Sequence, residues 1–184
     1  MKKKEWIRKK YYTIRKKKYF DINSIFFNSL VRLIKKKYRN KSINLSIYYP
    51  ASFEINPLKI FKIKLINNIK IFLPIVTSDN SMYFYRWNHQ DILKINKFGM
   101  LEPLKKFNHI IPNIMLVPLL AYDSKKNRLG YGKGFYDRYL KKYLKKYNNI
   151  LTIGIAFSFQ KYHKLPVSSN DVKLDYILTE KGLF

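Results

Sequence analysis

The residues with the greatest potential for chemistry lie in one short segment, residues 128–138, which reads RLGYGKGFYDR. Three glycines occupy alternate positions in it, although the whole chain of 184 residues contains only 6. Glycine permits positive φ and close approach of the backbone, so successive amides can surround an anion at the start of a helix. With Arg128 and Lys133 as nearby cations, the segment predicts a phosphate-binding loop. A glycine-rich turn without a ligand is the alternative.

Two common phosphate motifs do not fit this loop. A P-loop requires Ser or Thr after its lysine, whereas Gly134 follows Lys133, and a dinucleotide fingerprint requires glycine where Phe135 stands. Asp137 is a candidate oxygen ligand for Mg²⁺, which takes one or two protein carboxylates together with nucleotide phosphates. The competing interpretation is that Asp137 is an ordinary first-turn carboxylate that interacts favourably with the helix dipole.

The segments around the loop alternate between helical and strand patterns. Apolar spacing between residues 6 and 14 predicts a basic amphipathic helix, and Asp21 is the predicted cap of a second helix. Further helices are predicted after Pro57 and over residues 135–147. Strands are predicted over residues 43–50, 69–76, 82–87, 114–123, 151–158 and 175–179.

This alternation predicts the fold class. Strands separated by helices imply crossover units, and therefore an α/β fold, a three-layer α/β/α arrangement with a mostly parallel central sheet. Residues 114–123 are nearly all apolar, and a buried helical segment is the alternative there. The length favours a single domain over residues 1–184.

Composition excludes several classes of site. The chain has no cysteine, so disulfides, thiolate zinc sites and cysteine nucleophiles are excluded. Its three histidines have no metal-ligand spacing, and structural roles are expected for them. No apolar run approaches the roughly 20 residues that span a bilayer, and the basic amino terminus lacks the apolar core of a signal peptide. A cytoplasmic protein without a membrane partner is therefore expected.

The formal net charge of +27 raises the possibility of a nucleic-acid partner. The lysines recur along the whole chain, however, beside abundant Asn, Ile, Tyr and Phe, which favours a general bias in composition over one basic footprint. Nucleic acid is not the expected partner, but a basic RNA-binding protein on a related scaffold remains the alternative function.

A longer match surrounds the loop. Residues 117–140, VPLLAYDSKKNRLGYGKGFYDRYL, resemble the signature of the 5-formyltetrahydrofolate cyclo-ligase family, also called 5,10-methenyltetrahydrofolate synthetases. Residues 4–8 resemble the family's K-x-x-L-R, with Ile7 in place of leucine, and YYPASFEI and GMLEP resemble two further segments. The closing residues, IGIAFSFQ and LPVSSNDVKLDYILTEKG, are also similar, so the resemblance covers nearly the whole chain.

The resemblance implies an enzyme, an ATP- and Mg²⁺-dependent ligase on a three-layer α/β fold. It would convert 5-formyltetrahydrofolate to 5,10-methenyltetrahydrofolate, with release of ADP and phosphate. In the family's mechanism the formyl oxygen attacks the γ-phosphate, N10 attacks the activated carbon, and phosphate leaves. Such a reaction needs positioning and charge neutralisation more than a covalent nucleophile. No oligomer is implied, and a monomer is expected.

The resemblance also implies roles for residues. The ATP-binding residues would be Lys4, Glu5, Trp6, Ile7 and Arg8 with Arg128, Leu129, Gly130, Tyr131, Gly132, Lys133, Gly134, Phe135 and Tyr136. The folate-binding residues would be Tyr49 and Glu54 with Tyr131, Gly132, Lys133, Gly134 and Phe135. The catalytic cations would be Lys4, Arg128 and Lys133, and the metal ligands Asp137 and Asp171.

Aromatic side chains are candidates for stacking on the pterin, namely Phe84, Trp87 and Tyr136, with a place in the core as the alternative. Two departures from the family pattern are visible. Asn170 stands where many relatives have His, and Asn56 and Pro57 stand where they have an acidic residue and Thr. A nucleotide-binding fold that has lost its activity is a third possibility, although the charged residues that the reaction needs are present together.

Overall fold

The computed structural model of the protein describes residues 2–39, 41–63, 68–147 and 149–184. Its helices are α1 (Lys2–Lys18), α2 (Asn28–Lys37) and α3 (Phe135–Tyr143). Its strands are β1 (Ile43–Ser46), β2 (Ile69–Val76), β3 (Met82–Arg86), β4 (Leu93–Ile95), β5 (Leu101–Pro103), β6 (Ile114–Pro118), β7 (Ala121–Tyr122), β8 (Arg128–Leu129), β9 (Leu151–Ile155), β10 (Tyr176–Thr179) and β11 (Gly182–Leu183). Short 3₁₀ helices occupy Ser24–Phe27, Pro57–Lys62 and Ser158–Gln160.

The central sheet has the strand order β11-β10-β9-β6-β1-β2-β3. Its inner five strands, from β10 to β2, run parallel to one another. The two edge strands, β3 and β11, are antiparallel to their neighbours. The prediction of a mostly parallel sheet is confirmed.

Helices cover both faces of this sheet. Strand β6 alternates, because Ile114 and Leu116 join one buried cluster while Met115 and Val117 join another on the opposite face. Helix α2 supplies residues to the first cluster and α3 to the second. The sheet is therefore the middle of three layers, as predicted.

Helix α1 contributes no buried residue to either of these two clusters. Its buried residues Ile7 and Tyr11 form a third cluster with residues of the β7–β8 hairpin and with Leu165. The hairpin begins directly after β6 and ends at the glycine loop, so α1 lies beside that loop rather than over the centre of the sheet.

Two predicted helices differ from the observed ones. Asp21 does not cap the second helix. Asn23 instead caps the 3₁₀ helix Ser24–Phe27 that precedes α2, because its side chain accepts a hydrogen bond from the backbone N–H of Ile25. The tighter winding of this 3₁₀ helix leaves Ile25 67% exposed. The helix predicted after Pro57 is the 3₁₀ helix Pro57–Lys62, and residues 64–66 of the predicted helix lie outside the described residues.

Other segments are shorter than predicted or are new. Helix α3 ends at Tyr143 rather than at residue 147, and β1 ends at Ser46 rather than at residue 50. Residues 114–123 form β6 and then β7, so the helical alternative is wrong there. The β4–β5 hairpin and strands β8 and β11 were not predicted. Each new strand has only two or three residues, which is too short for a periodic pattern.

Candidate functional site

A cavity of about 880 Å³ lies at the carboxyl ends of the parallel strands β1, β2 and β6. Tyr48, Val76 and Pro118, which end or follow these strands, line it. The glycine loop forms another wall and the β4–β5 hairpin a third. Ligand sites of open α/β sheets lie at this edge.

Each alternate glycine of the loop makes room for an arginine of the protein itself. A Cβ atom on Gly130 would lie 3.2 Å from Nη1 of Arg128, and one on Gly132 would lie 3.3 Å from Cζ of Arg8. A Cβ atom on Gly134 would lie 2.9 Å from Nη1 of Arg138. Both Gly132 and Gly134 have positive φ, which other residues rarely adopt.

Arginine side chains also hold the loop in place. Nε of Arg8 donates a hydrogen bond to the carbonyl oxygen of Gly130 at 2.9 Å. Arg138 donates from Nη1 to the carbonyl of Lys133 at 2.9 Å and from Nη2 to that of Asn80 at 3.1 Å. The loop is therefore clamped to α1 on one side and to the β2–β3 turn on the other. The lining cations Arg8, Lys133 and Arg138 give this wall a positive charge.

Two ion pairs join predicted cations to predicted metal ligands. Nη2 of buried Arg128 donates to Oδ1 of Asp137 at 2.7 Å, and Nζ of Lys4 donates to Oδ2 of Asp171. Oδ1 of Asp137 also accepts from the backbone N–H of Val172 at 3.2 Å, which brings the two carboxylates into the same region. Burial lowers the pKa of the Arg128 guanidinium, while Asp137 opposes that change.

The cavity lining also contains a carboxylate and a phenol that interact with each other. Oη of Tyr131 donates to Oε1 of Glu54, and Oε2 of Glu54 accepts from the backbone N–H of Ala51 at 2.9 Å. Burial raises the pKa of the Glu54 carboxyl, while the hydrogen bonds from Tyr131 and Ala51 and the charge of Arg15 act to lower it. Burial also raises the pKa of Tyr131 well above its ordinary value. Glu54 is thus a half-buried acceptor beside a neutral phenol.

Known proteins resemble this chain in sequence and in structure. The model of the 5-formyltetrahydrofolate cyclo-ligase family matches residues 1–180. The 5-formyltetrahydrofolate cyclo-ligase of Haemophilus influenzae is 32% identical over 141 residues, which are 73% of this chain and 74% of that protein.

Two solved structures have the same fold. The NMR structure of Aquifex aeolicus 5,10-methenyltetrahydrofolate synthetase has a TM-score of 0.74 at 27% identity and covers 98% of this chain and 91% of its own. The structure of a 5,10-methenyltetrahydrofolate synthetase from Mycoplasma pneumoniae has a TM-score of 0.69 at 26% identity and covers 95% of this chain and 97% of its own. The chain belongs to the 5-formyltetrahydrofolate cyclo-ligase family. The predictions of family and of fold class are confirmed, and so is the prediction of an enzyme, since the family consists of ATP-dependent ligases.

The carboxylates of this cyclo-ligase chain suit Mg²⁺ in their chemistry. Hydrogen bonds from the described residues reach only Oδ1 of Asp137 and only Oδ2 of Asp171, so one oxygen of each remains available to a cation. Although burial acts to raise it, the pKa of Asp171 is lowered by hydrogen bonds from Lys4 and Ser168. Within the described residues, no group of three or more His, Asp or Glu side chains could hold a metal. A hard cation here would need further oxygens from phosphate and water.

Most of the predicted site residues line the cavity. Those that do are Arg8, Tyr49, Glu54, Arg128, Leu129, Gly130, Tyr131, Gly132, Lys133, Gly134, Phe135, Tyr136, Asp137 and Asp171. Lys4 does not, but it reaches the cavity through Asp171. Glu5, Trp6 and Ile7 are not among the lining residues either: Ile7 is fully buried in the α1 cluster and Trp6 is 55% exposed. Their contact with ATP stays a prediction.

The pterin-stacking candidates separate into two groups. Phe84 and Trp87 are buried in the core and do not line the cavity, which favours the alternative stated for them. Tyr136 does line it, and its buried Oη has no hydrogen-bond partner among the described residues. A buried hydroxyl without a partner is rare, so this atom is available to a ligand.

Several residues near the site were missed from the sequence. The β4–β5 hairpin contributes Asn96, Phe98 and Met100 to the wall, and Arg15 is buried behind Tyr131. A signal for Arg15 existed, because it follows Ile7 and Tyr11 at intervals of four residues and so shares the apolar face of α1. The many other basic residues of that helix concealed it.

Among the described residues no helix has the length and hydropathy needed to cross a membrane.

Proposed function

We propose that this protein converts 5-formyltetrahydrofolate to 5,10-methenyltetrahydrofolate, using ATP and Mg²⁺ and releasing ADP and phosphate. The observation that carries the proposal is the division of the cavity into two chemically different parts. One part combines the glycine loop, arginines and carboxylates, which suits a nucleotide and its metal. The other combines Glu54, Tyr131 and aromatic side chains, which suits a flat heterocycle with N–H donors.

The reaction joins the two parts of the cavity. The formyl oxygen attacks the γ-phosphorus of ATP and ADP leaves. N10 then attacks the activated formyl carbon and loses its proton, and the former formyl oxygen departs with phosphate, which can take up that proton, as the ring closes. The loop from Tyr131 to Phe135 lines the same cavity as Glu54 and Asp137, so a formyl group and a γ-phosphate would meet beside it.

The protein's own residues contribute charge and position. Arg8, Arg128 and Lys133 neutralise the negative charge of the phosphoryl group that passes from ATP to the formyl oxygen. Preorganised cations act in this way in phosphoryl transfer. Asp137 and Asp171 would hold Mg²⁺, which would supply further charge neutralisation. Lys4 and Arg128 are already paired with these carboxylates, which places both cations beside the proposed positions of phosphate and metal.

Folate is oriented by acceptors and shielded by rings. An ionised Glu54 accepts hydrogen bonds from the N–H groups of the pterin, and Phe98 and Phe135 cover the ligand from solvent. Exclusion of water matters because an activated formyl group would otherwise be hydrolysed.

The decisive experiment mixes the purified protein with 5-formyltetrahydrofolate, ATP and Mg²⁺ and follows the near-ultraviolet absorption of the methenyl product. We expect the absorption to rise with ATP and to stay flat when ATP is omitted. A folded protein that shows no turnover would contradict the proposal. Binding of ATP without turnover would indicate a nucleotide-binding fold that has lost its activity.

A further inference from the structure

Arg15 is an unusual residue for its position, because its side chain is 1% exposed in the interior of the protein. Buried arginines are ordinarily paired with a carboxylate, since an unpaired charge is costly to bury. Among the described residues, Arg15 makes no ion pair, and its Nε has no hydrogen-bond partner. Something other than an ion pair must explain the charge.

The contacts of Arg15 hold two pieces of the backbone that border the cavity. Its Nη1 donates to the carbonyl of Leu119 at 3.2 Å, directly after β6, and its Nη2 donates to the carbonyl of Ser52 at 2.8 Å. Ser52 and Phe53 have φ values of +48° and +64°, in the left-handed region that residues other than glycine rarely adopt. Arg15 therefore secures a strained turn whose next residue is Glu54.

The same guanidinium touches the partner of Glu54. Cζ of Arg15 lies 5.5 Å from the centre of the Tyr131 ring, which is the range of a cation–π contact. Tyr131 in turn donates its hydroxyl to Glu54. One buried cation thus contacts both the turn that carries the carboxylate and the ring that carries its hydrogen-bond donor.

We infer that Arg15 is a positioning residue for folate, which fixes the Glu54–Tyr131 pair from behind and supplies the positive charge that keeps Glu54 an acceptor. This inference rests on the proposed function. Arg15 does not line the cavity, so it acts through the pair rather than on the ligand.

The charged and titratable groups that face Glu54 support this role. They come from four elements: Arg15 from α1, Tyr48 after β1, Tyr131 from the glycine loop and Tyr136 from α3. The phenols are neutral, since burial raises the pKa of each of them above its ordinary value. Arg15 is therefore the positive charge of this group, and a guanidinium keeps its charge at all working pH values.

The test measures the affinities of the full-length protein for 5-formyltetrahydrofolate and for ATP by calorimetry across a pH series. In the wild type, folate binding weakens as pH falls through the raised pKa of Glu54. We call this loss of affinity at low pH the acid limb, and Glu54→Gln removes it. Arg15→Met deletes the charge at similar side-chain length, and Arg15→Lys keeps the charge but loses the forked N–H donors of the guanidinium. Lys16→Met is the control, because Lys16 is an exposed neighbour on the same helix.

We expect Arg15→Met to weaken folate binding by roughly 10- to 100-fold, the effect of losing contacts to a charged group. Its acid limb moves to higher pH, because without the nearby cation the pKa of Glu54 rises further. ATP affinity stays within roughly twofold, since Arg15 meets the glycine loop only at the Tyr131 ring and its hydrogen bonds go to Leu119 and Ser52 rather than to the loop. Arg15→Lys keeps the wild-type acid limb but still loses folate affinity, and Lys16→Met changes neither.

Two results would overturn the inference. One is a folded Arg15→Met whose folate affinity and acid limb match the wild type, and the other is an equal loss of affinity for ATP and folate, as a general structural defect would cause. If Arg15→Met does not fold, Arg15→Lys decides, and unchanged folate affinity in that variant overturns the inference.

The methenyl assay on the wild type separates these results from failure of the proposed function. Turnover upholds the function whatever Arg15 does, and a wild type that binds no folate overturns both the inference and the proposed function.

Discussion

At the scale of single residues, the site is built from cations that are placed before any ligand arrives. Arg8, Arg128 and Arg138 each lie against a glycine of the loop, and two of them also hydrogen-bond its carbonyls. Lys133 differs from these arginines. It is exposed, and within the described residues its Nζ makes no ion pair, although it lies 5.7 Å from the centre of the Phe98 ring. It is therefore the cation most available to a transferred phosphoryl group.

Replacement of Lys133 tests whether position or mere charge matters. Lys133→Met should lower kcat/KM for ATP by roughly 100-fold or more, the usual effect of removing one preorganised donor to the transition state. Lys142→Met, an exposed lysine on α3 that does not line the cavity, is the matched control and should have little effect. Equal effects in the methenyl assay would mean that overall charge, not position, supports turnover.

Replacement of Asp171 tests the proposed metal ligands. Asp171→Asn should raise the Mg²⁺ concentration needed for half-maximal activity by at least roughly tenfold, because the uncharged amide is a weaker ligand for a hard cation. Activity is measured against free Mg²⁺ at constant ATP. The control is Asp21→Asn, an exposed aspartate that does not line the cavity. An unchanged Mg²⁺ midpoint for Asp171→Asn would speak against a metal at this carboxylate.

At the scale of elements, the β4–β5 hairpin closes one side of the cavity. Buried Glu102 fixes it, since its Oε2 accepts hydrogen bonds from Asn96 Nδ2 at 3.1 Å and from the N–H of Val76 in β2 at 3.4 Å. At the tip, the ring of Phe98 lies 5.6 Å from that of Phe135. The glutamate of GMLEP therefore has a structural explanation, because it attaches a two-stranded flap to the central sheet.

The hairpin should contribute to folate binding through Phe98. Phe98→Ala should raise KM for 5-formyltetrahydrofolate by roughly three- to tenfold, because it removes an aromatic wall worth about 1 kcal/mol. The melting temperature should stay nearly constant, since the ring is 36% exposed. Ile95→Ala on the same hairpin, 72% exposed and outside the cavity lining, is the control. If both variants behave alike in the steady-state assay, the hairpin does not touch folate.

At the scale of the whole molecule, the large positive charge does not gather on one face. Basic residues end α2 (Lys35, Lys36 and Lys37) and also end α3 (Lys141 and Lys142), and these helices cover opposite faces of the sheet. A single nucleic-acid footprint needs a continuous basic surface. The distribution therefore favours a bias of composition over RNA binding as the origin of the charge.

Salt-dependent RNA binding tests this interpretation. Neutralising Lys35, Lys36 and Lys37 with glutamine, or Lys141, Lys142 and Lys145, should reduce a weak RNA affinity by similar factors, since neither set forms a dedicated site. The measurement is a titration with labelled RNA at several salt concentrations, whose slope counts the phosphate contacts. Loss of nearly all affinity from one triple substitution alone would instead identify a basic face and revive the RNA-binding alternative.

The residues that line the cavity were easier to predict from the sequence than the residues that hold them in place. The glycine loop, its cations and Asp137 were predictable because they lie within 11 consecutive residues whose types reveal their chemistry. Asp171 was placed through the family resemblance. Arg15 was not predictable, because its burial depends on Ser52 and Leu119, 37 and 104 residues away. The β4–β5 hairpin was missed because its strands are three residues long and mostly exposed.

The way α1 is attached has a consequence for the order of events during synthesis. Lys4, Arg8, Tyr11 and Arg15 bind atoms of Asp171, Gly130, Lys161 and Leu119, which lie 104 to 167 residues later in the chain. At roughly 5 to 20 residues per second, a ribosome makes the last of these partners, Asp171, about 8 to 30 seconds after the helix. During that interval the basic helix has no docking surface, and the nucleotide wall cannot exist until α1 returns to it. A nascent chain should therefore acquire ATP binding in one late step.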